Sequence, residues 1–214
     1  MQLARRCALA ASTIALALGT AVVVAPPSSA APAAQGHRSL AKVLTSDGNR
    51  FDRNSRDFDV LTEAVLAVLA AKPSSPVSVL TNGRQRLTVF APTDQAFRFL
   101  VYDLTGQWKV RERNVFKAVA SLGIDTVETV LLYHVVPGAT IGAKKALQAD
   151  GAELATAQGG TLGVDVLSPV GPIRLVDQDA DDVDALTVAP LLNLNKGNRQ
   201  IAHGISFVLR PADL

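Results

Sequence analysis

The densest concentration of chemically capable side chains is Asp177-Gln178-Asp179-Ala180-Asp181-Asp182-Val183-Asp184, with five carboxylates between residues 177 and 184. Alternating carboxylates suit a hard cation such as calcium, and Asp177, Asp179 and Asp181 have the spacing to converge in a tight loop. As an EF-hand loop the run fails: its sixth position is Asp182 where Gly is needed, and its twelfth is Val188 where Glu is needed. In solvent these charges are separated by water and salt, and their repulsion is small. The sequence therefore predicts a solvated connection between strands without a metal. The alternative is an extracellular small-ligand or calcium-binding protein that uses loop 177–184, with Asp177, Asp179 and Asp181 as the metal set.

Catalytic arrangements fail on spacing. His37, His134 and His203 are far apart and form no paired zinc spacing. Gly204-Ile205-Ser206 continues into Phe207 and Val208, so there is no nucleophile elbow. Gly159-Gly160 precedes a strand, where a turn is its simplest use, and no glycine-rich phosphate loop follows a strand. The single cysteine, Cys7, lies in the first thirty residues. The reading is a protein that is not an enzyme and takes no cofactor.

The elements that would position these groups follow from periodicity. Asp57 or Asp59 can cap a helix with Leu61, Val65, Val68 and Leu69 on one stripe, ended by Lys72-Pro73. Runs 77–80 and 87–90 read as strands flanking a hairpin turn at Asn82-Gly83. Thr93 or Asp94 caps a helix with Phe97, Leu100, Val101 and Leu104 at i, i+3, i+4 and i+7. A short helix is expected over 114–121. Asp125 and Glu128 have capping-box spacing before Val127, Val130, Leu131 and His134. Short apolar runs at 161–167, 173–176, 186–188 and 205–209 read as strands. Helices fill the first half and strands the second without regular βαβ alternation, so the fold class is α+β. Phe90, Phe97, Leu131, Val135 and Val208 are expected in one core.

At the amino terminus, Arg5 and Arg6 precede an apolar stretch from Cys7 to Ala25, followed by Pro26-Pro27 and Ser28-Ser29-Ala30. This is the pattern of a signal peptide over 1–30 cleaved after Ala30; the general secretory and twin-arginine routes both remain open. Residues 31–38 read as a flexible tail and 39–214 as a single domain. The whole chain has 21 Lys+Arg and 19 Asp+Glu, and the surplus is Arg5 and Arg6. The cleaved chain is neutral, which argues against nucleic acid as a partner, and no second apolar run is long enough to span a membrane.

Three blocks carry a resemblance. Thr88-Val89-Phe90-Ala91-Pro92-Thr93-Asp94-Gln95-Ala96-Phe97 resembles the first signature block of fasciclin (FAS1) domains. Leu131-Leu132-Tyr133-His134-Val135-Val136-Pro137-Gly138 resembles the second, and Ile201-Ala202-His203-Gly204-Ile205-Ser206-Phe207-Val208-Leu209-Arg210-Pro211 the third. The third departs at Ala202, at Ser206 in place of Asp, and at the displaced Asn198. The resemblance implies a fasciclin-like wedge of β-strands with helices packed around it. It also implies a secreted or cell-surface adhesion module without common catalytic activity, whose partner is a surface or matrix protein or polysaccharide. Thr88, Phe90, Pro92, Thr93, Phe97, His134, Pro137, Gly138 and His203 are the structural motif positions. Read without the family, the first block is a strand-to-helix junction, and His134 falls on an apolar stripe where an imidazole needs a partner. The candidate partner-binding residues are Asp94, expected to present a short exposed carboxylate, and Tyr133 and His134, whose segment is implied by the resemblance.

Overall fold

A computed structural model describes residues 35–46, 48 and 51–214. Segment 1–30, expected to be a signal peptide cleaved after Ala30, lies with Arg5, Arg6 and Cys7 outside the described residues. The described residues fall in one compact unit. Among the described residues, no helix is long and apolar enough to cross a membrane.

Helix α1 (Leu40–Leu44) is followed by α2 (Asp59–Ala71), a 3-10 turn (Pro76–Thr81) and strand β1 (Leu87–Pro92). Three helices come next: α3 (Asp94–Thr105), α4 (Glu112–Ala120) and α5 (Ile124–Tyr133). Then come β2 (Val135–Pro137), α6 (Ala143–Ala146), β3 (Glu153–Ala155), β4 (Thr161–Val166), β5 (Ile173–Val176), β6 (Ala185–Leu186) and β7 (Gln200–Ile205). The fold is α+β. One sheet has the order β2-β1-β7, the other is the meander β3-β4-β5-β6.

Strand β1 is the hub of the fold. It runs antiparallel to β2 and parallel to β7, and every one of its residues is buried. Successive side chains of a strand point to opposite faces. Leu87, Val89 and Ala91 therefore enter the cluster built with α2, α3, α4 and α5, whereas Phe90 enters a second cluster with Tyr133, Leu162, Leu175 and Ile205. That alternation separates Phe90 from the core of Phe97, Leu131, Val135 and Val208, correcting the expectation of a single core.

Other local expectations change for physical reasons. Residues 77–80 form the 3-10 turn, not a strand: Pro76 stands in its first turn, and Ser75 Oγ accepts the Val77 N–H at 3.1 Å. Gly83 does not shape a hairpin. A Cβ placed there would meet the His37 carbonyl oxygen at 1.8 Å, so the glycine permits a backbone crossing. That crossing belongs to a docked segment: Gly36 N–H donates to Gly197 O at 2.8 Å and Arg38 N–H to Asn198 Oδ1 at 2.9 Å. The end of the segment expected as a free tail is thus held against the domain. At α5 the N-cap is Gly123, with φ of 90°, and not Asp125; Asp125 and Glu128 instead both hold the Lys72 ammonium. The last strand is 200–205, earlier than the run 205–209 had suggested.

Candidate functional site

Asp94 follows the Thr93 cap, whose Oγ1 accepts the Ala96 N–H at 3.3 Å. Its carboxylate is fully buried, not exposed as expected. Oδ1 accepts the Val60 N–H at 3.0 Å, so Asp94 caps α2 from a distance of 34 residues. Its oxygens lie close to those of Asp57 and Glu112. Burial pushes the Asp94 carboxyl up to about 8, with the neighbouring Asp57 and Glu112 charges acting in the same direction. A proton on Asp94 lets it donate to Asp57. The folded state then holds this proton up to pH of about 8, while the unfolded chain releases it near 3.8. The folded state binds more protons across that window, so stability linked to Asp94 declines as pH rises through it. Asp94→Asn keeps the cap and removes the titration. Urea midpoints measured from pH 5 to 8 should fall with pH in the wild type and less steeply in this variant; parallel curves would refute the shared proton.

Tyr133 and His134 close α5, and both are buried. Tyr133 Oη donates to Thr161 O at 2.6 Å, tying α5 to β4, and burial pushes the phenol up to about 12. His134 Nδ1–H donates to Val130 O at 2.7 Å, and Nε2 accepts the Leu209 N–H at 2.9 Å. Both ring nitrogens are used, in the neutral form, and burial pushes the imidazole down to about 4. His203 is arranged alike: Nε2–H donates to Ile141 O at 2.8 Å and Nδ1 accepts the Asn193 N–H at 3.4 Å.

Removing the ring at His134→Ala orphans the buried Leu209 N–H, at a cost of about 1–3 kcal/mol. The folded state keeps His134 neutral well below its ordinary 6.5. Its contribution is therefore full above pH 6.5 and is lost as pH falls toward about 4, because the unfolded chain takes up the proton first. The gap in urea midpoint between wild type and His134→Ala should be wider at pH 7 than at pH 5.

The acidic run is organised by a cation within the chain. Arg210, 5% exposed, donates from its guanidinium to Asp103 at 2.7 Å and Asp179 at 3.3 Å, and lies 3.0 Å from Asp182. Its backbone N–H donates to Asp177 Oδ2 at 2.8 Å, while Asp177 Oδ1 accepts the Asp179 N–H at 3.0 Å. Burial pushes Asp177 up to about 6. The connection expected to be solvated is therefore wrapped around Arg210, with Asp179 buried. Asp181 stays exposed, beside Asp179 and Asp213. Asp177, Asp179 and Asp181 do not share one point as a calcium set.

What faces solvent beside this cluster is aromatic. Phe207 lies 5.0 Å from Phe99, Phe99 lies 5.6 Å from Trp108, and Trp108 lies 6.0 Å from Tyr102, between ring centroids. Phe99, Tyr102 and Trp108 are exposed by 37%, 51% and 47%. Phe99, Tyr102 and Phe207 border a recess of about 140 Å3 that also includes Asp103, Asp182 and Arg210. A continuous ring ladder beside carboxylates can stack on an apolar or sugar face and accept hydrogen bonds from donors at its rim. Sequence reasoning missed this ladder. Its signal was present: Phe99 and Tyr102 are i, i+3 neighbours that fall off the Phe97–Leu100–Val101–Leu104 stripe.

The fasciclin domain model matches residues 61–209. No curated protein matches the chain. Among solved structures, the chain is similar to a FAS1 domain pair from the insect cell adhesion molecule Fasciclin I, with 16% identity and a TM-score of 0.54. The match covers 81% of this chain and 51% of that one, so the chain spans about half the length of the solved pair.

Proposed function

The chain belongs to the fasciclin domain family, and from that premise we propose that it is a non-catalytic binding module, secreted or held at the cell surface, whose contact face is the ring ladder of Phe99, Tyr102, Trp108 and Phe207. Residues 1–30 act as its signal peptide and residues 39–214 as its single domain. The observation that carries this reading is the exposed ladder itself: aromatic rings left in water on a folded domain mark contact surfaces far more often than chance placement does. The buried positions of Asp94, Tyr133 and His134, bonded to Val60 N–H, Thr161 O and Leu209 N–H, support a structural role for all three. The partner is a surface or matrix protein or polysaccharide.

The test uses the chain from residue 31 onward and its Tyr102→Ser, Trp108→Ser double variant. Retention on insoluble cell-surface material should be strong for the parent and lost in the variant, while a cooperative unfolding transition shows that the variant is still folded. Equal retention would reject the ladder as the contact face. Digestion of the material with protease or with glycosidase before loading distinguishes the two partner classes.

A further inference from the structure

A cavity of about 680 Å3 opens between the segment before α2 and the start of α4. Its wall carries Arg53, Arg98, Arg111 and Arg113, with Asn114 beside them. We propose that it binds a phosphate or sulfate group, free or carried on a polymer, through these four guanidinium groups and the open end of α4. The proposal stands apart from the ladder and does not depend on it.

Four like charges around one space repel, and a domain whose charges balance has carboxylates to spare for pairing them. The pairing is not there. Among the described residues, Arg53, Arg111 and Arg113 have no carboxylate within ion-pair distance. Two of the four arginines are instead held in place. Arg98, with its side chain 10% exposed, donates to Glu112 Oε1 at 2.9 Å, and its buried Nε has no hydrogen-bond partner. Arg113 lies over the Phe51 ring at 5.3 Å, and Phe51 packs against Phe116 with centroids 5.8 Å apart.

The cavity also holds two acids, Asp52 and Glu112. Glu112 is buried and used: one oxygen takes Arg98 and the other accepts the Asp52 N–H at 2.6 Å. Asp52 accepts from the Asn54 N–H. Among the lining residues four arginines thus face two acids, while Asp57 and Asp59 lie near the Asp52 carboxylate and Asp57 and Asp94 near that of Glu112. No side chain caps α4; the Asn114 N–H is taken by Arg111 O at 2.8 Å, and the Glu112 and Arg113 amides of the first turn show no partner among the described residues, where a helix amino terminus favours an oxyanion. Guanidinium forks match the paired oxygens of phosphate and sulfate, which makes arginine the suited residue here.

The test is a thermal and calorimetric titration of the chain from residue 31 with sodium phosphate and with sodium sulfate, each matched in ionic strength by sodium chloride. A second arm uses heparin, a sulfated polysaccharide, as an immobilised probe. Phosphate or sulfate should raise the melting temperature above the chloride control, or heparin should retain the protein. In Arg53→Gln, Arg111→Gln the affinity should fall at least about tenfold. Both side chains are exposed and unpaired among the described residues, so the melting temperature in chloride alone should match the parent and show that the variant is folded. Response to the free ions assigns a small-anion site; response to heparin alone assigns a polymer-borne group. Shifts no larger than chloride gives, together with no heparin retention, would overturn the proposal, as would binding unchanged in the variant.

Discussion

Replacing Arg210 by alanine is expected to destabilise the protein by about 3–5 kcal/mol, read as a lower urea midpoint at pH 7. Two magnitudes compete in that figure. An exposed ion pair contributes about 0–1 kcal/mol, whereas breaking a buried one leaves an uncompensated charge and costs several times more. Burial decides between them. Arg210 and Asp179 are both 5% exposed, and Asp182 and Asp103 meet the same guanidinium. Without it, Asp179 is left without its counter-ion in a closed site next to Asp177, which burial already pushes up to about 6. The carboxylates can relieve this only by taking up protons, so the folded variant should hold protons that the unfolded chain releases. Its stability should therefore recover in part as pH falls from 7 toward 5. Arg210→Lys should lie between the two, since an ammonium supplies charge but not a planar fork reaching three carboxylates. In the wild type, calcium in excess should leave the melting temperature where a chelator does, because the loop's counter-ion is covalently present. A site filled to a hundred times its dissociation constant would add about 2.7 kcal/mol. An Arg210→Ala midpoint equal to wild type would return the loop to the solvated reading.

How far the sequence revealed this molecule depends on how local each cause is. The Thr93 cap, the strand before it and the Phe97 stripe depend on neighbours within one helical turn, and periodicity shows them. Asp94 looked like an exposed cap residue because the group it satisfies, the Val60 N–H, lies 34 residues earlier. No spacing rule connects them. The acidic run presented the same difficulty: its charges demanded a cation if they converged, but Arg210 is 31 residues beyond Asp179. The misplaced hairpin at 77–90 had a local cause that was legible, Pro76 after Ser75, and the Asn82-Gly83 turn signal outweighed it. The ring ladder was visible as an excess of aromatic residues on α3, more than one buried stripe can hold. Its partners Trp108 and Phe207 come from a loop and from the chain after β7, so only the fold assembles it.

Phe97→Ala is the second large effect, again about 3–5 kcal/mol, and its place in that range follows from the surroundings. Phe97 is 3% exposed and lies in the cluster built by α2, α4 and α5. It borders a void of about 20 Å3 shared with Ala64, Val119, Val127, Leu131 and His134. Truncation costs the transfer of the ring plus the cavity it leaves, and the cavity contribution is small only where neighbours can collapse inward. Here they cannot easily do so. Val119 and Val127 are β-branched and stiff within helices, and His134 is fixed at both nitrogens by Val130 O and the Leu209 N–H. The void should therefore merge with the vacated volume, placing the cost near the top of the range. Phe97→Leu refills most of that volume and should lose about half as much. Because the same void touches His134, Phe97→Ala and His134→Ala should be non-additive: each loosens packing that the other has already disturbed, so the double variant should lose less than the two losses combined, with a coupling of about 0.5–3 kcal/mol. Urea denaturation of the four proteins measures this directly, and strict additivity would show that α3 and the end of α5 do not share one packed core.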